Sequence, residues 1–112
     1  MSVTFTSHVK EALSAEQAAR NKALERIGGK AESYAKKICP VKTGRLRNSI
    51  THQQYDENTE VIGTNVEYAP YVELGHHTSS GKHVDGKPFL RPAVEGHTDE
   101  YKQIIQQIMQ NA

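Results

Sequence analysis

The sequence predicts an α+β domain in which a long N-terminal helix and a C-terminal helix pack on a small antiparallel β-sheet. Proline-poor segments with apolar residues at helical spacing lie towards both ends of the chain, and short β-branched runs lie between them. The length of 112 residues fits a single domain over residues 1–112. We expect a hairpin at about 49–64, a short helix at about 68–74 and a long loop at 75–87.

The first 39 residues predict a short strand followed by the long helix. Residues 3–6 alternate apolar and β-branched side chains, and Ser7 can cap a helix that continues through residue 38. The apolar stripe of this helix consists of Leu24, Ile27, Ala31, Tyr34 and Ile38. Gly28 and Gly29 interrupt the helix without shifting the stripe, so we expect a soft point or kink there. Pro40 then ends the helix.

The middle of the chain predicts a helical turn and a β-hairpin. Thr43 is a candidate N-cap for a short helix that presents Leu46 and Ile50 to the core. Residues 50–55 and 59–64 are strand-like runs, and the three residues between them are polar and typical of a turn.

The last third of the chain predicts a short helix, a loop and the C-terminal helix. Pro70 suits the first turn of the short helix, and Gly75 suits its C′ position. Glycine, serine and histidine dominate residues 75–87, which predicts a loop. Residues 88–91 are predicted to be extended, and Pro92 is predicted to open a helix over 92–110. The apolar stripe of that helix consists of Val94, Tyr101, Ile104, Ile105 and Ile108.

The composition favours a small subunit that needs partners. Hydrophobic residues make up 36% of the chain, against roughly 45–50% apolar residues in ordinary soluble domains. A thin core makes a small domain marginally stable, and oligomerisation is a common remedy. Net charge is +1, so no global field attracts nucleic acid or membranes. Cys39 is the single cysteine, which excludes an intramolecular disulfide, and no apolar run is long enough to span a membrane.

The histidines are the first candidates for metal chemistry. His76, His77 and His83 lie in the predicted loop, with Asp85 close behind. Their spacing matches no specific zinc pattern, and no cysteine accompanies them, so we expect no metal and no cofactor. Histidines in such a loop are more often hydrated or hydrogen-bonded across an interface.

The carboxylates do not predict an enzyme. An acid–base pair needs a concave apolar pocket, for which a core this lean leaves little room. We expect Glu73 to form a structural ion pair with Arg91. The serines lack the context of an activated nucleophile, so we expect no catalytic residue.

Five basic residues fall within twelve positions: Lys36, Lys37, Lys42, Arg45 and Arg47. The simpler interpretation is a solvated helix end, where cations also favour the helix dipole. The alternative is a patch that faces DNA phosphates. No aromatic residue is interleaved with these side chains, so the cluster has no ring on which a nucleic-acid base could stack. Phosphate contact alone would be salt-sensitive and independent of sequence.

Three segments together, residues 40–50, 63–75 and 87–93, resemble the gp-ten-like family of HK-type siphophages. Members of that family are described as tail-component, neck, tail-completion or minor capsid proteins. The resemblance covers about residues 30–110. One departure is Leu74, where an aromatic residue is expected before the glycine, and another is the histidine-rich loop.

The resemblance implies a structural virion protein of the head–tail junction, made in the cytoplasm of the host bacterium. It implies a subunit of a ring, with a hexamer favoured, that contacts neighbouring connector or tail proteins and has no cofactor. Non-specific contact with DNA in the channel is compatible with it. The alternatives are a tail terminator protein and a small nucleic-acid-binding module that contacts phosphates through the basic cluster.

A closed ring needs a heterologous interface, in which two different patches of each subunit meet. The apolar segment 68–74 and the polar-faced hairpin are the candidate halves. The 75–87 loop is a candidate contact with an adjacent subunit or ring. The interface candidates are Tyr68, Tyr71, Val72, Leu74, His76, His77, Lys82, His83, Phe89 and Arg91.

Overall fold

The computed structural model describes residues 2–6, 14–40 and 44–111 and has the predicted α+β architecture. The helices are α1 (Ser14–Ile38), α2 (Arg45–Ser49), α3 (Ala69–Leu74), α4 (Leu90–Glu95) and α5 (Thr98–Gln110). The strands are β1 (Ser2–Thr6), β2 (Thr51–Asp56), β3 (Thr59–Gly63), β4 (Gly75–His77) and β5 (His83–Asp85). The predicted start of the long helix at Ser7 lies outside the described residues.

The main sheet has three antiparallel strands in the order β1-β3-β2. The N-terminal strand and the hairpin predicted from sequence are therefore confirmed, with boundaries that differ by about one residue. The pairing of β2 with β3 shifts register between Gln54 and Asp56, which places Tyr55 at a β-bulge. Tyr55 is 78% exposed there.

Helix α1 packs on the sheet and runs unbroken through Gly28 and Gly29. The two glycines, where a soft point or kink is expected, do not end the helix, and Gly28 allows the helix to pack closely on the hairpin. A Cβ atom at Gly28 would lie 2.6 Å from Nδ1 of His52 and closer still to Oε2 of Glu60. A glycine is thus required where the helix passes over the hairpin.

The core lies between α1, the sheet and the C-terminal helices. Leu24, Ile27 and Ala31 are buried as predicted, but Ile38 is 48% exposed. Ala35 and Cys39 take over the buried stripe at the end of α1, because spacings of four residues keep them on the face of Ala31. Burial raises the pKa of the Cys39 thiol, which suits a structural residue.

The C-terminal segment forms two helices where the sequence predicts one. Residues 96–97 separate α4 from α5, and the Gly96 amide donates to the carbonyl of Pro92 at 2.9 Å. The ring of His97 stacks on Tyr34 of α1 at a centroid distance of 3.7 Å. Leu90 and Arg91, predicted to be extended, already belong to α4. The break falls at Gly96, where a Cβ atom would lie 2.7 Å from the carbonyl oxygen of Pro92.

The two C-terminal helices are joined by a buried hydrogen bond. The hydroxyl of Tyr101 donates to the carbonyl of Ala93 at 2.5 Å, and burial raises the pKa of this phenol. We expect Tyr101→Phe to lower the free energy of unfolding by about 1 kcal/mol, because the buried carbonyl loses a donor. Urea denaturation of the two proteins will measure this difference, and an unchanged value would mean that the bond contributes no net stability.

The 75–87 segment, predicted to be a loop, contains the antiparallel hairpin β4–β5. Gly75 (φ 84°) and Gly81 (φ 86°) take the left-handed backbone conformation that favours glycine. A turn between the strands is closed by the Thr78 amide, which donates to the Lys82 carbonyl at 2.8 Å. The Ser-Ser-Gly sequence between the two strands is typical of a turn. Each strand has only three residues, however, which is too short to show the alternation that predicts a strand.

Helix α2 follows the predicted pattern with one difference. Leu46 and the following Ile50 are buried as expected. The N-cap is Gly44 (φ 80°) instead of Thr43, which itself lies outside the described residues.

Candidate interaction surface

A wide apolar groove separates α2 from α3 and the β4–β5 hairpin. Its volume is about 750 Å³. The lining residues are Pro40, Gly44, Arg45, Leu46, Tyr68, Tyr71, Val72, His76, Val84, Asp85 and Lys87. Four of them (Tyr68, Tyr71, Val72 and His76) are interface candidates from the sequence, so the structure gathers these candidates around one depression.

Three large apolar side chains are exposed on the elements that border this groove. Tyr71 is 59% exposed, Leu74 71% and Val84 39%. Tyr71 makes a tilted ring contact with His76, at a centroid distance of 5.6 Å. We call Tyr71, Leu74, Val84 and the groove the apolar face. Sequence reasoning missed Val84, because a lone valine between a histidine and an aspartate carries no apolar pattern.

The remaining histidines of this region lie on the β4–β5 hairpin. His77 and His83 face each other across the strands with a ring distance of 5.0 Å. Nε2 of His83 lies 3.0 Å from Oδ1 of Asp85, and both side chains are largely exposed. Lys82 is exposed in the turn. Across the described ranges, the only group of three potential metal ligands lies elsewhere, at Glu25, His52 and Glu60.

Glu73 does not form the expected ion pair with Arg91. Its side chain is buried, and its carboxylate accepts the backbone N–H groups of Phe89 and Leu90 at 3.0 Å each and that of Arg91 at 3.3 Å. It therefore caps α4, since Phe89 at the N-cap offers no side-chain acceptor. The Arg91 side chain instead pairs with Glu95, with Nε 3.0 Å from Oε2.

Phe89 is predicted from the sequence to be an interface residue, but the structure places it in the core. None of its surface is exposed, and it is the largest fully buried side chain of the core. The backbone amide of Phe89 is held by Glu73, which brings this segment onto the core. Phe89 therefore stabilises the fold and is not available as a contact residue.

The basic cluster is largely engaged within the chain. Lys36 pairs with Glu32 at 3.2 Å, and Lys37 lies over the ring of Tyr34. Arg45 makes two hydrogen bonds to Glu67, at 3.0 and 3.1 Å, and lies over the Tyr68 ring. Arg47 is exposed, and Lys42 lies outside the described residues.

The Arg45–Glu67 pair also affects the pKa values of its two members. A hydrogen bond from its own backbone N–H, and then the hydrogen bond from Arg45, lower the pKa of Glu67. The Glu67 carboxylate in turn raises the pKa of Arg45. Both side chains are exposed, so the pair contributes little stability, but it neutralises one of the five charges that would face phosphate.

In the part of the chain that the structure describes, no helix combines the length and the hydropathy that crossing a membrane requires.

Comparison with known proteins agrees with the resemblance seen in the sequence. Residues 5–75 match the model of the family described as "Bacteriophage HK97-gp10, putative tail-component". Searches among curated proteins and among solved structures returned no match. The matched region contains α1, α2, α3 and the hairpin β2–β3, and it ends at Gly75. It includes two of the three resembling segments, residues 40–50 and 63–75, and excludes residues 87–93. The chain belongs to the HK97-gp10 family of bacteriophage tail components.

Proposed function

We propose that this tail component is a ring-forming subunit of the head–tail junction that completes or joins the tail. The observation that carries the proposal is the apolar face, whose tyrosine, leucine and valine are exposed to an unusual degree for a chain with so few apolar residues. The family supports a structural place in the virion and no catalytic role.

The two halves of the ring interface are the apolar face and the edge of the main sheet. β2 lies at the edge of the three-stranded sheet, and Thr51, Gln53 and Tyr55 are exposed along it. The two surfaces differ in chemistry, as a heterologous interface requires. Repetition of this contact closes a ring, for which we expect six copies. Neighbouring connector or tail proteins contact the ring above and below.

Leu74→Glu tests this interface, because it places a charge in the apolar face at an exposed position. We expect the variant to fold but to lose ring formation in sedimentation velocity experiments, since burying an unpaired carboxylate at an interface is costly. Tyr55→Glu, on the sheet edge, is expected to have the same effect. Gln106→Glu adds the same charge at an exposed position of α5 and serves as the matched control.

The same variants also test the function in the assembled phage particle. That experiment detects the role of the ring even if the ring forms only during assembly. A phage that carries Leu74→Glu should yield separate heads and tails by electron microscopy, whereas Gln106→Glu should yield joined particles. Normal joining with Leu74→Glu would overturn the proposal. Tails of uncontrolled length would favour the tail terminator role instead, because a terminator stops growth of the tail tube.

Non-specific contact with DNA through the basic cluster stays a prediction. Lys36 and Arg45 are engaged in ion pairs, and Arg45 and Arg47 are both exposed. Any binding should therefore be weak and should disappear as salt is raised, because few phosphates are neutralised.

A further inference from the structure

Three side chains that could coordinate a metal ion lie together where α1 crosses the hairpin β2–β3. Glu25 comes from α1, His52 from β2 and Glu60 from β3, and one ligand atom of each lies within 4.8 Å of the others. Nδ1 of His52 is 2.8 Å from Oε2 of Glu60, and Nε2 of His52 is 3.6 Å from Oε1 of Glu25. The cluster is separate from the apolar face, which borders α2, α3 and the second hairpin.

Glu60 is the unusual member of this cluster. Its side chain is fully buried, and its Oε1 atom has no hydrogen-bond partner among the described residues. Burial raises the pKa of Glu60, and the hydrogen bond from His52 opposes that shift. A buried carboxylate with an unpaired oxygen is costly unless another group compensates it.

The helix leaves room for this carboxylate. Gly28 lies directly over Glu60 and His52, and any Cβ atom there would overlap with their ligand atoms. The site is also reachable from solvent, because the Glu25 side chain is 72% exposed and that of His52 is 17% exposed. The arrangement is thus a buried carboxylate and an imidazole below a glycine, with an exposed carboxylate at the opening.

We propose that Glu25, His52 and Glu60 bind a divalent first-row transition-metal cation, with Zn²⁺ as the representative ion. One imidazole nitrogen and two carboxylates form a donor set that such cations accept. Two metal-bound carboxylates carry two negative charges, which a divalent cation balances. A water molecule completes four-coordination.

The required rearrangement involves both carboxylates, because Glu60 lies at Nδ1 of His52 and Glu25 lies at Nε2, whereas one ion binds only one of these nitrogens. Two ligands on a tetrahedral zinc ion lie roughly 3.3 Å apart, given metal–ligand bonds of about 2.0–2.1 Å. Nδ1 of His52 and Glu60 therefore separate by about half an ångström from their hydrogen-bonded distance to hold the ion between them. The exposed Glu25 side chain turns from the Nε2 side of the ring towards this ion as the third ligand. The bound ion links α1 to both strands of the hairpin.

Titration of the purified full chain with zinc chloride, followed by calorimetry, tests this site. We expect one ion per chain and a rise in the melting temperature on addition of Zn²⁺, since the ion binds the folded state. His52→Gln and Glu60→Gln should each weaken binding at least about tenfold. His83→Gln removes a histidine from the exposed pair with Asp85 and should leave binding unchanged.

Circular dichroism of each variant establishes that it is folded, and Co²⁺ absorption reports coordination by nitrogen and oxygen ligands. The proposal is overturned if the wild-type chain does not bind Zn²⁺, in which case the three residues form a metal-free ion-pair cluster. It is also overturned if His83→Gln, and neither of the other two variants, removes binding.

Discussion

Replacing Glu73 with alanine is expected to lower the free energy of unfolding by about 3–5 kcal/mol, because buried backbone donors lose their acceptor. The carboxylate is buried and accepts three successive backbone N–H groups at the start of α4. Removing it leaves these donors without an acceptor, and each such donor in a buried position costs about 1–3 kcal/mol. The amides concerned include that of Phe89, so the loss reaches the centre of the core.

Urea denaturation followed by far-UV circular dichroism measures this effect. Glu95→Ala is the matched control, because Glu95 is also a helical glutamate but is exposed and pairs with the Arg91 side chain. We expect the control to change stability by less than about 0.5 kcal/mol. Equal losses for the two variants would show that the Glu73 cap is not a principal stabilising contact.

Gly28→Ala is expected to destabilise the chain by about 1–3 kcal/mol, although alanine favours helix formation. The new methyl group would overlap Oε2 of Glu60 and would lie 2.6 Å from Nδ1 of His52. The Glu60 side chain is fully buried and bonded to His52, so it cannot move aside without breaking that bond.

Gly29→Ala is the neighbouring control and should stabilise the chain instead of destabilising it. The nearest atom to a Cβ at Gly29 is Nε2 of His52, at 3.9 Å, which is ordinary contact. Helix propensity then dominates and predicts a gain of up to about 1 kcal/mol. Thermal melts of both variants measure the difference. If Gly28→Ala were as stable as Gly29→Ala, the helix would not pass as closely over the hairpin as the structure indicates.

Measuring Gly28→Ala in a chain that also carries Glu60→Ala separates the steric overlap with Glu60 from any effect of the new alanine on the unfolded chain. In that background Gly28→Ala should cost less than in the wild-type chain, because the overlapping carboxylate is gone. The difference between the two costs is the coupling energy between Gly28 and Glu60.

Elements with strong local signals were predicted from the sequence. The hairpin β2–β3 follows from two strand-like runs around a polar turn, and α3 follows from Pro70 in its first turn and Gly75 at its end. Burial of Leu24, Ile27 and Ala31 follows from helical spacing. These predictions succeeded because the information lies within a few neighbouring residues.

Two predictions were wrong at places where contacts between distant segments accompany the local structure. The break between α4 and α5 accompanies stacking of His97 on Tyr34, which lies in α1. Glu73 was assigned to the Arg91 side chain, since opposite charges suggest a pair, whereas it binds the backbone at residues 89–91. The sequence does not show that Glu73 lies next to the start of α4. Its role as the acceptor for the unpaired N–H groups of that helix therefore cannot be recognised from sequence.

The sequence by itself determined the α+β class, the order of most elements and the resemblance to a family of phage tail components, because propensity and motif spacing are local properties of the chain. Only the tertiary structure decided which residues of distant segments lie together. It left Tyr71, Leu74 and Val84 exposed on α3 and the β4–β5 hairpin, and it brought ligand atoms of Glu25, His52 and Glu60 from three elements to within 4.8 Å of one another. The physical reason is that such clusters arise from packing a helix against a sheet, and no spacing along the chain encodes that packing.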